Sequence, residues 1–163
     1  MLEFPRVLER LAEHCDFSAS RELALSLRPT TDLEEARLRL RRTSEARLLL
    51  NTNDQIGVGG ARDVRPMVAR AARGSVLEPS ELLDIKGTLI AARELGRFFE
   101  KQSATYPLLA EVALELVPPA GIVEAISRVL SDRGEVLDSA SPALSALRSQ
   151  IKVAYNRLIS RLE

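Results

Sequence analysis

The sequence predicts an all-α fold: a helical bundle with a long coiled-coil helix towards its end and at most one short hairpin. Three observations predict it. Hydrophobic residues make up 45% of the 163, yet aromatics are only 4% and tryptophan is absent, so Leu, Ala, Val and Ile must build the core, as in packed helices. The apolar residues recur three and four apart along most of the chain. Caps and prolines ahead of these runs, with glycines and prolines behind them, divide the chain into helices.

Taken in order, the first helix is expected from Pro5 to His14, with proline favoured in a first turn. Ser18 or Ser20 is expected to cap a short helix carrying Leu23, Ala24 and Leu27 that stops near Pro29. Thr31-Asp32-Leu33-Glu34 reads as a capping box opening a long, arginine-rich helix to about Asn51. Asn51 to Gly60 is a loop, rich in Asn, Asp and Gly. A helix from Asp63 to Arg73 tolerates Pro66 in its first turn and stops at Gly74. Pro79 opens the best-defined helix, to Lys101, with an apolar stripe of Leu82, Ile85, Leu89, Ala92, Leu95 and Phe99. Gly87 and Gly96 inside it are expected to let a neighbouring helix approach closely. Two shorter helices, Tyr106 to Leu116 and Ala120 to Leu130, flank Pro118-Pro119. Asp132-Arg133-Gly134 is a turn before Glu135-Val136-Leu137, which reads as a single hairpin strand or an extended link.

The last helix starts with Ser141 as cap and Pro142 as first residue. Its residues Leu144, Leu147, Ile151, Ala154 and Leu158 alternate three and four apart, the spacing of a coiled-coil seam. At ~100° per residue they fall within an arc of roughly 80°. Arg148 and Lys152 flank one side of that arc, Arg157 and Arg161 the other. Such a seam asks for an acidic partner helix or for phosphates alongside. Ser160-Arg161-Leu162-Glu163 contains no stop signal, so the helix is expected to continue beyond the chain.

Composition excludes several classes. The 23 basic residues balance 23 acidic ones, so the global excess expected of a stand-alone nucleic-acid binder is missing. No stretch approaches the ~18 apolar residues of a membrane span. Met1-Leu2-Glu3-Phe4-Pro5 lacks the basic start and apolar run of a signal peptide. The single cysteine, Cys15, forms no intramolecular disulfide, which fits a reducing cytoplasm. It stands beside His14, the single histidine, but two ligands make no structural zinc site. Cys15 also continues the apolar series Phe4, Val7, Leu8, Leu11, Ala12 and is expected to be buried.

Reactive chemistry is equally thin. Gly57-Val58-Gly59-Gly60-Ala61-Arg62 has neither the Gly-Lys-Ser/Thr of a phosphate-binding loop nor the buried strand that precedes a dinucleotide loop. One histidine on an apolar helix gives no Ser-His-Asp set. No catalytic, cofactor-binding or metal-ligating residue is therefore expected within the chain. The remaining handle is electrostatic: Arg62, Arg65, Arg70 and Arg73, opposed in sequence only by Asp63, form a local basic patch. Arg37 and Arg41 lie one turn apart on the long helix. With Arg148 and Lys152 of the last helix, the first four are the candidate phosphate or nucleic-acid contacts.

Several segments resemble a known family in order along nearly the whole chain. Leu2-Glu3-Phe4, Thr43-Ser44-Glu45-Ala46, Gly59-Gly60-Ala61-Arg62-Asp63-Val64-Arg65-Pro66, Leu77 to Ile85 and Gly134-Glu135-Val136-Leu137-Asp138-Ser139-Ala140-Ser141-Pro142 look like the MutS-II proteins. These are bacterial MutS paralogues without the mismatch-reading domains. Ala61 departs from a larger apolar residue, and the last helix is less charged than in most members, which leaves its partner contacts open.

The resemblance implies an architecture and a role. Residues 1–130 would form the helical core and lever, and residues 131–163 the start of a clamp arm. An ATPase domain using ATP and magnesium, and often a C-terminal Smr nuclease domain, would lie beyond Glu163. Such proteins are dimers tied to branched DNA, to suppression of recombination and to collided ribosomes with their rRNA. The segment would transmit nucleotide-driven motion to the clamp. A different class of function, a stand-alone helical module that self-associates through Leu144 to Leu158, stays open beside it. So does an independent nucleic-acid binder, which would show a steep salt dependence.

Overall fold

The computed structural model describes residues 3–15, 18–53 and 59–160. Among them the chain forms eight α-helices, one short 3-10 turn and no sheet, the all-α fold that the composition and periodicity predict. The helices are α1 (Phe4–Glu13), α2 (Ser18–Ser26), α3 (Leu33–Thr52), α4 (Arg65–Ala72), α5 (Pro79–Lys101), α6 (Pro107–Ala113), α7 (Ile122–Val129) and α8 (Pro142–Ile159).

Local chemistry explains their ends. Pro79 and Pro142 sit in the first turns of α5 and α8, where their missing N–H costs nothing. Gly74, at a φ of 83°, closes the turn after α4 in a backbone conformation that a side chain would strain. At α3 the cap falls one residue later than the capping box predicts. Asp32 Oδ1 accepts from Glu34 N at 2.8 Å and Glu35 N at 3.2 Å, because a carboxylate outcompetes a hydroxyl for the positive end of a helix. α2 begins at Ser18 itself, the position ahead of it lies outside the described residues, and the Ser18 hydroxyl donates to Asp63 Oδ2 at 2.6 Å. α4 starts two residues after Asp63, whose Oδ1 accepts from Arg65 N at 3.2 Å.

α5 is the mast of the structure. α6 and α7 pack on it, α3 packs on α6, and α7 meets the 3-10 turn at Asp138–Ala140, on which α8 in turn stands. Every residue from 81 to 90 is half-buried, so neighbours cover the mast on all faces rather than along a single stripe. The two glycines do permit close approach, but to loop backbone and not to a helix. A Cβ on Gly87 would lie 3.2 Å from the Gly60 carbonyl, and one on Gly96 3.5 Å from the Leu116 carbonyl. The best-packed cluster gathers Leu49, Phe99, Tyr106 and Ala113, with the Phe98 and Phe99 rings edge to face at 5.2 Å. Tyr106 Oη lies 2.9 Å from Thr52 Oγ1, which satisfies the phenol at the edge of that cluster.

The core is thin. The chain exposes 12681 Å², where a compact monomer of 18.0 kDa would expose about 8,000 Å². Large apolar residues stand in water on α1, α2 and α8. Cys15, expected in the core, is half-buried just past α1, with its Sγ 3.6 Å from the Leu11 carbonyl. The hairpin expected near Glu135–Leu137 reduces to one antiparallel bridge between Leu130 and Val136, with Leu137 N donating to Val129 O at 2.9 Å.

Candidate functional site

Two regions carry the residues that the sequence singles out. The first is α8 and its root. Gly134 turns the chain at a φ of 82°. Val136 then bridges back to Leu130, and Ser139 Oγ donates to the Arg128 carbonyl at 2.7 Å, tying the turn to the end of α7. Ser141 Oγ accepts from Leu144 N at 3.1 Å, the cap expected from the sequence. Arg148, one turn further on, reaches back. Its Nη1 donates to Val136 O at 2.8 Å and to Asp138 Oδ1 at 2.6 Å. The stretch from Gly134 to Pro142 is therefore a built corner, and Arg148 is its strut.

Above the corner the helix is bare. No residue of α8 is buried, although Leu144 is half-covered at the root. Leu147, Ile151 and Leu158 are 56%, 67% and 60% exposed, and Ala154 is exposed with them. Between 142 and 159 the charged residues are Arg148, Lys152 and Arg157, with no carboxylate. Arg161, the fourth flanking cation, lies outside the described residues. The seam is thus a row of apolar side chains facing solvent with positive charge on both flanks.

The second region is the segment from Gly60 to Arg73. Its extended start is pinned to α5: Thr88 Oγ1 accepts from Arg62 N at 2.9 Å, alongside the Gly60–Gly87 contact. Asp63 then draws in two elements. Arg65 donates to it through Nε at 2.8 Å and Nη2 at 2.7 Å, while Ser18 of α2 donates from the other side. Arg65 Nη1 also pairs with Glu22 of α2 at 2.9 Å. The Arg65 guanidinium, with the Ser18 hydroxyl second, holds the Asp63 carboxyl far below its ordinary 3.8, and the two carboxylates push Arg65 upwards in return.

The basic patch is less basic than it reads. Asp63 is not the sole opposing charge, because folding brings Glu22 to Arg65 and Glu81 to Arg70. Glu81 is held below its ordinary value first by the Glu78 backbone N–H and then by Arg70. Of the candidate phosphate contacts, Arg65, Arg70 and Arg148 are thus engaged by carboxylates. Arg62, Arg73 and Lys152 are exposed and, among the described residues, carry no ion pair. Arg37 is paired with Glu34 at 2.9 Å.

One residue with a precise task escaped the sequence reading. Glu45 of α3 accepts from Leu108 N and Leu109 N, both at 3.0 Å, and so caps α6 from another helix. Nothing local betrays it, since its partners lie 63 and 64 residues away. Part of the glycine loop, Gly57 and Val58, lies outside the described residues. Among the described residues no group of His, Cys, Asp and Glu is arranged to hold a metal ion, and no helix is long and apolar enough to cross a membrane.

Among the described residues the chain is thus all-helical, with a cationic helix strutted at its root and uncovered beyond it. Comparison with known proteins identifies the relatives. The chain is 41% identical to the endonuclease MutS2 of Thermomicrobium roseum over 99% of its own length and 21% of that protein. For the same-named proteins of Symbiobacterium thermophilum and Halalkalibacterium halodurans the figures are 40% over 99% and 20%, and 35% over 100% and 21%. The chain is homologous over its whole length to these MutS2 proteins, in their N-terminal region, and spans about a fifth of their length. No family model matches it.

Proposed function

We propose that the chain is the N-terminal core of a MutS2-type ATPase and that it carries nucleotide-driven motion to a clamp. Residues 1–130 act as the lever, with α5 as its rigid member, and residues 131–163 begin the clamp arm. The remaining length of such a protein would supply the ATPase domain, with its ATP and magnesium, and an endonuclease activity. The full protein works as a homodimer on branched DNA, on collided ribosomes, or on both. The observation that carries this reading is the corner from Gly134 to Arg148. It fixes a long helix at one end to α7 while leaving its apolar, cationic face uncovered. A lever needs such a rigid joint more than it needs reactive side chains. The uncovered seam supports burial against a returning, acid-bearing helix, and Arg62, Arg73 and Lys152, which carry no ion pair among the described residues, are the candidate cations for phosphate.

The test is a distance measurement in the full-length protein. Labels on α5 and α8 report their separation with and without ATP and magnesium. Lever action predicts a nucleotide-dependent shift that is lost in Arg148→Ala. A separation indifferent to nucleotide overturns it. The alternative, a self-associating module without enzymatic role, would show instead as tight dimerisation of the isolated chain through Leu147 and Ile151.

A further inference from the structure

We infer that α1 and α2 form a separately movable hairpin, latched to the body of the chain by a polar clasp of Ser18, Asp63, Arg65 and Glu22. The packing comes first. α1 and α2 pack on each other, and neither packs extensively on α3 through α8. Among the described residues of the hairpin only Ala12 and Ala24 are buried, while Val7 and Leu23 stand 55% and 67% exposed. The hydrophobic effect therefore does little to seat the hairpin on the body.

Arg39 of α3 donates to the Arg28 carbonyl just past α2 at 2.8 Å, and the charged contacts of α2 with the body, among the described residues, gather at one spot. Ser18 and Glu22, one turn apart on α2, present a hydroxyl and a carboxylate on the same face. The segment leading into α4 presents the complement. Ser18 donates to Asp63 at 2.6 Å, Arg65 forks onto Asp63, and the same guanidinium reaches Glu22 at 2.9 Å. The Arg65 and Glu22 side chains are largely exposed and the Asp63 carboxylate mostly covered. Water and salt therefore screen the outer pair more than the inner one. The clasp gives the Gly60–Pro66 motif a task that lever action alone does not use. Asp63 and Arg65 set whether the hairpin rides with the body or swings free.

The experiment uses the intact chain with Cys15→Ser and spin labels at Arg10→Cys on α1 and Glu94→Cys on α5, both exposed positions. In the parent the inter-label distance should be narrow. It should broaden and lengthen in Asp63→Asn and in Arg65→Gln. The same should happen at about 1 M salt, where the screening length falls to about 3 Å. Meanwhile the helical content and the melting of α3 to α8 should hold. Arg65→Lys, which keeps the charge without the fork, should fall between parent and Arg65→Gln. A narrow distribution unchanged by all of these overturns the proposal. So does loss of the whole fold in Asp63→Asn and Arg65→Gln together, since the hairpin would then be part of one cooperative unit.

Discussion

α5 and α8 begin alike and end in opposite situations. Both start on a proline, both are long, at 23 and 18 residues, and both carry leucines and isoleucines at helical spacing. Yet α5 is wrapped by loops and helices over its whole middle, while α8 buries nothing. Charge marks the difference. α5 carries both signs, and its neighbours answer them: Glu81 meets Arg70, Lys86 meets Asp132 at 2.7 Å and Arg93 meets Glu124 at 3.2 Å. α8 carries cations alone, and among the described residues its one ion pair is that of Arg148 at the root. A helix whose charges are matched within the chain belongs to the body. One whose charges are unmatched offers its face to something else.

The largest expected effect sharpens that contrast directly. Phe99→Ala at the foot of the mast removes a ring from the Leu49–Tyr106–Ala113 cluster and should cost about 3–5 kcal/mol in chemical denaturation. The equivalent truncation on the arm, Leu158→Ala, should fall within about 0.5 kcal/mol of the parent. Equal losses at the two sites would erase the distinction between mast and arm.

A smaller effect tests how the body is joined. Glu45→Ala strips α6 of the carboxylate that receives two of its first N–H groups, and should cost about 0.5–2 kcal/mol. Hydrogen exchange should quicken at Leu108 and Leu109 ahead of the rest. Unchanged stability would mean that water replaces Glu45 without loss.

These sites also show what a sequence carries and what it hides. The bounds of α5, from Pro79 to Lys101, and the cap and first residue of α8 are legible because proline, serine and apolar period act within a few residues. The corner at Gly134–Pro142 was legible as a family motif but not as a mechanism, because the strut depends on Arg148 folding back over ten residues. Asp63 beside Arg65 was legible, but the partners Glu22 of Arg65, Glu81 of Arg70 and the α6 amides of Glu45 were not. They lie on other elements, and periodicity is silent about which charges meet once helices pack. Ser18 shows the same limit, since its hydroxyl donates to a carboxylate 45 positions on that nothing local announces.

The central claim is that the α8 seam serves a partner and contributes nothing to the body. Replacing Leu147 and Ile151 together by Glu, followed by sedimentation and thermal melting of the chain, tests it most directly. Burying one leucine is worth about 1.5–3 kcal/mol, so the bare seam should drive weak dimerisation at high concentration against the mutual repulsion of its cations. The account predicts that the double variant is monomeric at every concentration while the body melts as in the parent. A parent that stays strictly monomeric, or a double variant that unfolds the whole chain, would contradict it.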